Sequence, residues 1–131
     1  MINQIQSTLA CFTIASLIIL LTVFVFIKMT KYNDWEEIQK GNLAAALALG
    51  GKVFGVSNVM RFAIVAHTSP LDTVVWGTLG LAFLVLVYMA FEWLTPQIDV
   101  NKEIGSGNTA VGFMAMIFAA SMSYIIGASI S

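Results

Sequence analysis

Charge is scarce in this chain: Asp, Glu, Lys and Arg fill 10% of its 131 positions, against about 25% in an ordinary soluble domain. A chain this short has much surface for its core and needs charge to stay in water. A conventional soluble domain is excluded. An excess of basic residues is missing too. Six Lys and Arg against seven Asp and Glu leave a formal net charge of −1, which excludes a nucleic-acid binder resting on a basic surface. The single cysteine, Cys11, allows no intramolecular disulfide and no cysteine-based metal site, and it reads as a packing residue. The single histidine, His67, makes no metal site alone, and no nucleophile–base set or phosphate-binding loop accompanies it. No enzyme chemistry and no cofactor are expected.

Apolar length is what the chain has. Hydrophobic residues fill 59% of its positions, and the charges cluster between long stretches. Ser7–Ile27 and Asn108–Ser131 carry none, and further apolar segments run over about 43–66 and 73–94. Each reaches or approaches the roughly 20 residues that cross about 30 Å of hydrocarbon. Their Leu, Ile, Val, Phe, Ala and Gly suit helices that satisfy their own backbone in lipid, and the alternation of a membrane-barrel strand is missing. The expected fold is an all-α membrane protein, one domain over 1–131 with four transmembrane helices. The first stretch lacks a basic leading segment and is too long for a signal-peptide core, so it reads as a span.

The basic residues orient the helices. Lys28, Lys31 and Lys40 fall in the first connection and Lys102 in the third, while the second, His67 to Pro70, and both tails have no Lys or Arg. The positive-inside rule then puts the first and third connections in the cytoplasm and both termini outside. Trp35, Trp76 and Trp93 fall near expected interfaces, where amphipathic rings are favoured. The expected setting is the lipid bilayer of a bacterial inner membrane.

The most specific feature is self-similarity. Glu37-Ile38-Gln39-Lys40-Gly41-Asn42-Leu43-Ala44 recurs 66 residues later as Glu103-Ile104-Gly105-Ser106-Gly107-Asn108-Thr109-Ala110, identical at Glu, Ile, Gly, Asn and Ala. Each copy precedes an apolar span, so the chain reads as two copies of a helical hairpin, about 7–66 and 73–131. A two-helix unit returns to its starting side, which makes these parallel repeats rather than inverted ones. Asp34, three residues before Glu37, fits a capping box that starts a helix in the loop. Gly41 and Gly107 are expected to free space for a crossing helix. Asn42 and Asn108, at the edge of the hydrocarbon, seek polar partners, and a pseudo-two-fold could bring them together, either as packing or as a polar constriction.

The doubled motif, the hairpin duplication and the length together resemble the domain of unknown function 350 family of YjfL-like bacterial membrane proteins. The resemblance covers nearly the whole chain. It implies a four-helix inner-membrane protein without established enzymatic chemistry, accompanying envelope-associated or membrane-stress proteins. Lys52 and Arg61 depart from the simple apolar pattern expected of the second helix.

Lys52 lies ten residues beyond Asn42, about 15 Å along a helix and close to mid-bilayer, where a Lys costs about 2.5–3.5 kcal/mol to insert. It must face a neighbouring helix, a wet cavity or a subunit contact. Glu92 is the nearest obvious anion by composition, but its depth argues against direct pairing. Arg61 points half a turn away from Lys52 and is expected to snorkel outward or to pair with Asp72. Asn58 shares a face with Arg61. Small residues form stripes: Gly51 and Gly55 in the second span, and Ala115, Ala119, Ser123, Gly127 in the fourth. Such stripes let helix backbones approach closely, within one chain or between copies. The bulky first span suits lipid.

The reading is a non-enzymatic structural or interaction protein. It is expected to be a homo-oligomer whose cytoplasmic loops, with Trp35, Glu36, Glu37 and Lys40, meet a membrane-associated protein partner. The alternative is an oligomeric channel or small transporter with a path lined by Lys52 and Asn42.

Overall fold

A computed structural model describes residues 1–67 and 69–131; Thr68 of the second connection lies outside the described residues. Six helices follow in order: α1 (Ile2–Met29), α2 (Asp34–Gln39), α3 (Leu43–Ala66), α4 (Pro70–Leu94), α5 (Val100–Gly105) and α6 (Thr109–Ile130). Among the described residues there is no strand, and four helices, α1, α3, α4 and α6, are long and apolar enough to cross a membrane. The first helix begins five residues earlier than the charge-free stretch implied, at Ile2. The other three spans fall within a few residues of expectation.

The chain stops and restarts for local reasons. Thr95 leaves helical geometry directly before Pro96, which disfavours helix at the preceding residue. Pro70 occupies the first turn of α4, where its missing N–H costs nothing. The helix expected to start near Asp34 and run inward is instead broken into α2 and α3 at Gly41. Its N-cap is Asn33, whose side chain accepts from Glu36 N at 3.1 Å. Asp34 is therefore the first helical residue and not the capping one.

Helix α3 is the hub, packed chiefly on α6 and also on α4 and α1. Inside the chain 61% of its apolar window is buried, against 11% for α1. The α3–α6 contact is backbone-close. A Cβ on Gly51 would sit 2.5 Å from Met116 Cα, and one on Gly112 would sit 2.5 Å from the Ala44 carbonyl oxygen. Lipid tails are as apolar as side chains, so such helices adhere by dispersion at close range, which small residues permit. Bulky residues point outward instead, as Phe12, Leu17, Leu20 and Phe24 do on α1.

Candidate functional site

The repeated motif is a helix stop joined to a helix start. At the end of α2, Gly41 N donates to Ile38 O at 3.0 Å and Asn42 N to Glu37 O at 3.0 Å. At the end of α5, Gly107 N donates to Ile104 O at 3.0 Å and Asn108 N to Glu103 O at 2.8 Å. Both bonds require a left-handed residue after the helix, and Gly41 and Gly107 have φ +85° and +90°. A Cβ at either would meet nothing within 4 Å. These glycines thus serve backbone conformation, not the close crossing expected of them. Each Asn then caps the next helix, Asn42 accepting from Ala45 N at 3.1 Å and Asn108 from Val111 N at 3.3 Å. Their amide groups also donate to the motif glutamates, Asn42 to Glu37 at 3.2 Å and Asn108 to Glu103 at 2.8 Å.

The two asparagines do not meet. Asn42 Nδ2 reaches across to Ile104 O at 2.8 Å and so ties α5 to the start of α3. Lys31 N, bonded to Asn101 Oδ1 at 3.3 Å, is a second tie on that face. Ile104 is buried in the core while Ile38 packs partly against it. Ala44 is buried under Gly112 but Ala110 is exposed, so the last motif position has different surroundings in its two copies.

The second polar feature surrounds Lys52, which is only 2% exposed. Its Nζ lies 4.4 Å from the centre of the Tyr88 ring and 5.7 Å from that of Phe26. Those rings meet edge to face at 5.8 Å. A helix tilts its side chains toward its own N-terminus, so the lysine stem runs back toward the end bearing α2 and α5. The amine therefore sits at the level of Tyr88, six residues or about 9 Å from the end of α4. Ring faces attract cations, by about 2 kcal/mol or more where water is excluded. Among the described residues no carboxylate lies within 4.0 Å of this amine, and the only ion pairs are Lys40–Glu36 at 3.2 Å and Lys40–Glu37 at 3.9 Å. Glu92 and Asp34 are the anions whose fields reach Lys52.

Asp34 is the residue that sequence reasoning misplaced furthest. It is 1% exposed. Its Oδ2 accepts from Thr30 Oγ1 at 2.7 Å, while its Oδ1 and the hydroxyl of buried Tyr88 have no hydrogen-bond partner among the described residues. Tyr32 completes the cluster. Burial, and then the charges of Asp34, Glu92 and Glu37, push its phenol well above the usual tyrosine range. Tyr88 and Glu92 could have been linked in the sequence, being four apart on one helix face. Nothing singles out Phe26 within its run of bulky neighbours.

The remaining polar candidates separate. Asn58 is buried and donates to Ser123 Oγ at 3.0 Å, whereas Arg61 is exposed with its guanidinium 5.3 Å from the Phe62 ring. The two therefore do not share an environment, and no Arg61–Asp72 pair forms among the described residues. His67 stacks on Trp76 at 5.8 Å and its Nε2 lies 2.9 Å from Ile130 O. Gly51, Gly55, Ala115, Ala119, Ser123 and Gly127 are all buried inside the chain. Of the two residues named for a lined path, Lys52 is enclosed over Tyr88 and Asn42 is bonded to Ala45 N and Ile104 O within the chain. Among the grooves on the face bearing α2 and α5, two are lined by charged side chains. One of about 610 Å³ is lined by Lys31, Glu92, Trp93, Asp99 and Asn101 among others, and one of about 330 Å³ by Lys31, Tyr32, Glu37, Asp99 and Lys102 among others. Among the described residues no group of three or more His, Cys, Asp or Glu converges as a metal site.

Similar proteins are membrane proteins by name. The chain is 40% identical over 128 residues, 98% of its own length and 96% of the relative's, to UPF0719 transmembrane protein YshE of Bacillus subtilis (strain 168). It is 29% identical over 103 residues, 79% of its length and 76% of the relative's, to UPF0719 inner membrane protein YjfL of Escherichia coli (strain K12). No solved structure matches it. With four apolar helices and a match over residues 1–130, the chain is a transmembrane protein that belongs to the family described as Domain of Unknown Function (DUF350).

Proposed function

We propose that this protein is a non-enzymatic structural or interaction protein of the bacterial inner membrane, built from two parallel hairpin repeats and working as a homo-oligomer. The enclosure of Lys52 carries the reading: the one charge deep in a span sits under Phe26 and Tyr88 inside a single chain. A charge so placed faces the interior of one chain rather than a route across the membrane. The matched caps at Gly41–Asn42 and Gly107–Asn108 support the repeat, and the printed name of the Escherichia coli relative supports the inner membrane.

In this reading the lysine-bearing connections are cytoplasmic. Helix α2 offers the partner surface, with Trp35 59% exposed beside Glu36, Glu37 and Lys40. The partner is a membrane-associated protein of the envelope or of a membrane-stress response, and neither nucleic acid nor cofactor takes part. Because the small-residue stripes are occupied inside the chain, copies meet through the outward sides of α1, α4 or α6. Mass determination in mild detergent, together with cross-linking in native membranes, is expected to give a defined oligomer. A strict monomer with no cross-link would remove it. With Cys11 replaced by Ala, Lys31→Cys should react with a membrane-impermeant maleimide only after the cytoplasmic side is opened; labelling of intact spheroplasts would reverse the orientation.

A further inference from the structure

The buried cluster behind α2 contains more polar capacity than the chain itself satisfies. Among the described residues Asp34 Oδ1 and Tyr88 Oη are buried without partners, and Lys52 Nζ lies 4.4 Å from the Tyr88 ring centre with no carboxylate in salt-bridge range. Orphaned polar atoms at such depth are costly unless a small polar species joins them, and buried water, with two to four partners, is the common solution.

The surroundings give the cluster a direction. Toward the α2–α5 face, Glu92, one turn beyond Tyr88 on α4, and Tyr32 each line one of the two charged grooves described above. Toward the opposite face, Val56, Val59, Met60 and Ala63 of α3 and Leu81 and Leu84 of α4 are buried in the hydrophobic core. The polar pair at that depth, Asn58 and Ser123, is bonded to itself. The ionisable groups around the cluster are Tyr88 and Glu92 from α4, Asp34 and Glu37 from α2, and Tyr32 and Lys31 from the first connection. Helix α1 presents Phe26 there, and the tyrosine of α6, Tyr124, packs against Phe54 and Phe62 instead.

We propose that Asp34, Tyr88 and Lys52 bind internal water within the span. This water exchanges protons with the α2–α5 face past Tyr32 and Glu92 and is sealed from the other face. The ammonium donates into the water, the Asp34 carboxylate accepts from it, and the Tyr88 hydroxyl completes its ligands. A proton leaving the ammonium for solvent is replaced by one from solvent, so the charge of the site is conserved through each exchange. If that face is cytoplasmic, as proposed above, the site is a proton well open to the cytoplasm.

The test is proton exchange at the lysine amine. In lipid nanodiscs holding protein labelled with nitrogen-15 at lysine, the Lys52 signal is identified by its loss in Lys52→Met. Its Nζ protons should exchange with water far faster than the neighbouring amides of Val56 and Val59. Asp34→Asn and Tyr88→Phe should each slow that exchange about tenfold, the effect of losing one charge-assisted or buried hydrogen bond, while the α6 amide spectrum stays unchanged. In a Cys11→Ala background a bulky maleimide on Asn101→Cys, in the groove mouth, should slow exchange, and the same adduct on Leu71→Cys at the opposite end should not. A Lys52 signal that exchanges no faster than the Val56 and Val59 amides would overturn the site. Indifference to both Asp34→Asn and Tyr88→Phe would do so too, and equal slowing by both adducts would overturn its one-sidedness. Reversal of the cytoplasmic assignment would appear in the Lys31→Cys labelling and leave every one of these exchange rates as expected.

Discussion

Gly112 is where the α3–α6 contact is most exposed to test. A Cβ added there would lie 2.5 Å from the Ala44 carbonyl oxygen and 2.7 Å from Ala44 Cα, whereas ordinary contact begins at 3.4 Å. These are backbone atoms of a buried helix and cannot rotate aside, so Gly112→Ala forces α6 back by about 1 Å. An opening of that size forfeits roughly a quarter to a half of the dispersion energy of the atom pairs it separates. Overpacking of this kind costs about 1–3 kcal/mol. Alanine also gains about 0.8–1.0 kcal/mol over glycine in a helix interior, which would mask part of the loss. Gly50→Ala is the control, because Gly50 lies on exposed α3 surface and a Cβ there meets nothing within 4 Å. The propensity gain cancels between the two variants, so their difference isolates the clash: Gly112→Ala should be the less stable by about 1–3 kcal/mol. Reversible unfolding in mixed micelles of rising dodecyl sulfate content, followed by tryptophan fluorescence, measures it. Equal stability, or a more stable Gly112→Ala, would refute the backbone-close contact.

In the same assay Gly41→Ala and Gly107→Ala should each lose about 1–2 kcal/mol, the penalty of a left-handed alanine, and Gly→Asn at either position should lose less. Full stability in both alanine variants would rule out the caps as described. A double-mutant cycle over Asn58→Ala and Ser123→Ala should give a coupling of about 0.6 kcal/mol and at most about 1.7 kcal/mol, the range for hydrogen bonds between spans; a coupling of zero would mean the bond contributes nothing. Tyr32 gives an alkaline signature. Its folded-state phenol is held above the ordinary value near 10, so above about pH 10 the unfolded chain releases this proton first and stability falls as pH rises. Melting of the detergent-solubilised protein should thus drop more steeply between pH 9 and 11.5, roughly the window around that ordinary value, than melting of Tyr32→Phe. Parallel curves would disprove the burial of this phenol.

The spans were legible because hydrocarbon imposes length and composition on any helix that crosses it. The order of packing was not legible from hydropathy, since lipid removes the contrast between an apolar core and an apolar surface. The most buried span, α3, is the least hydropathic of the four. Its Ala44, Ala48, Gly51 and Gly55 carried the usable signal, small size rather than apolarity. The repeated motif was legible as a pattern, but its glycines were read for bulk when their function is a positive φ. Asp34 was misread because a carboxylate beside a helix start has two uses, capping and burial. Asn33 takes the first, and the packing of α2 onto α3 imposes the second. Only three-dimensional proximity brings Phe26, Lys52 and Tyr88 together, from three different helices.

The position of Lys52 matters because stability alone does not account for it. Insertion of a lysine into a span costs about 2.5–3.5 kcal/mol. A desolvated cation over an aromatic face recovers about 2 kcal/mol or more, and Lys52 has Tyr88 at 4.4 Å and Phe26 at 5.7 Å. These terms are of similar size, so the aromatic walls bring the charge near neutrality and no further. An apolar residue of similar volume would fill the same space with no insertion cost to offset. A lysine kept there is explained by what the amine does, and three properties of the structure limit what that is. It is enclosed within one chain, it lies over Tyr88, whose hydroxyl has no partner among the described residues, and its polar surroundings lead toward the α2–α5 face. A group so placed is suited to hold water and to exchange protons toward that face, the site proposed above.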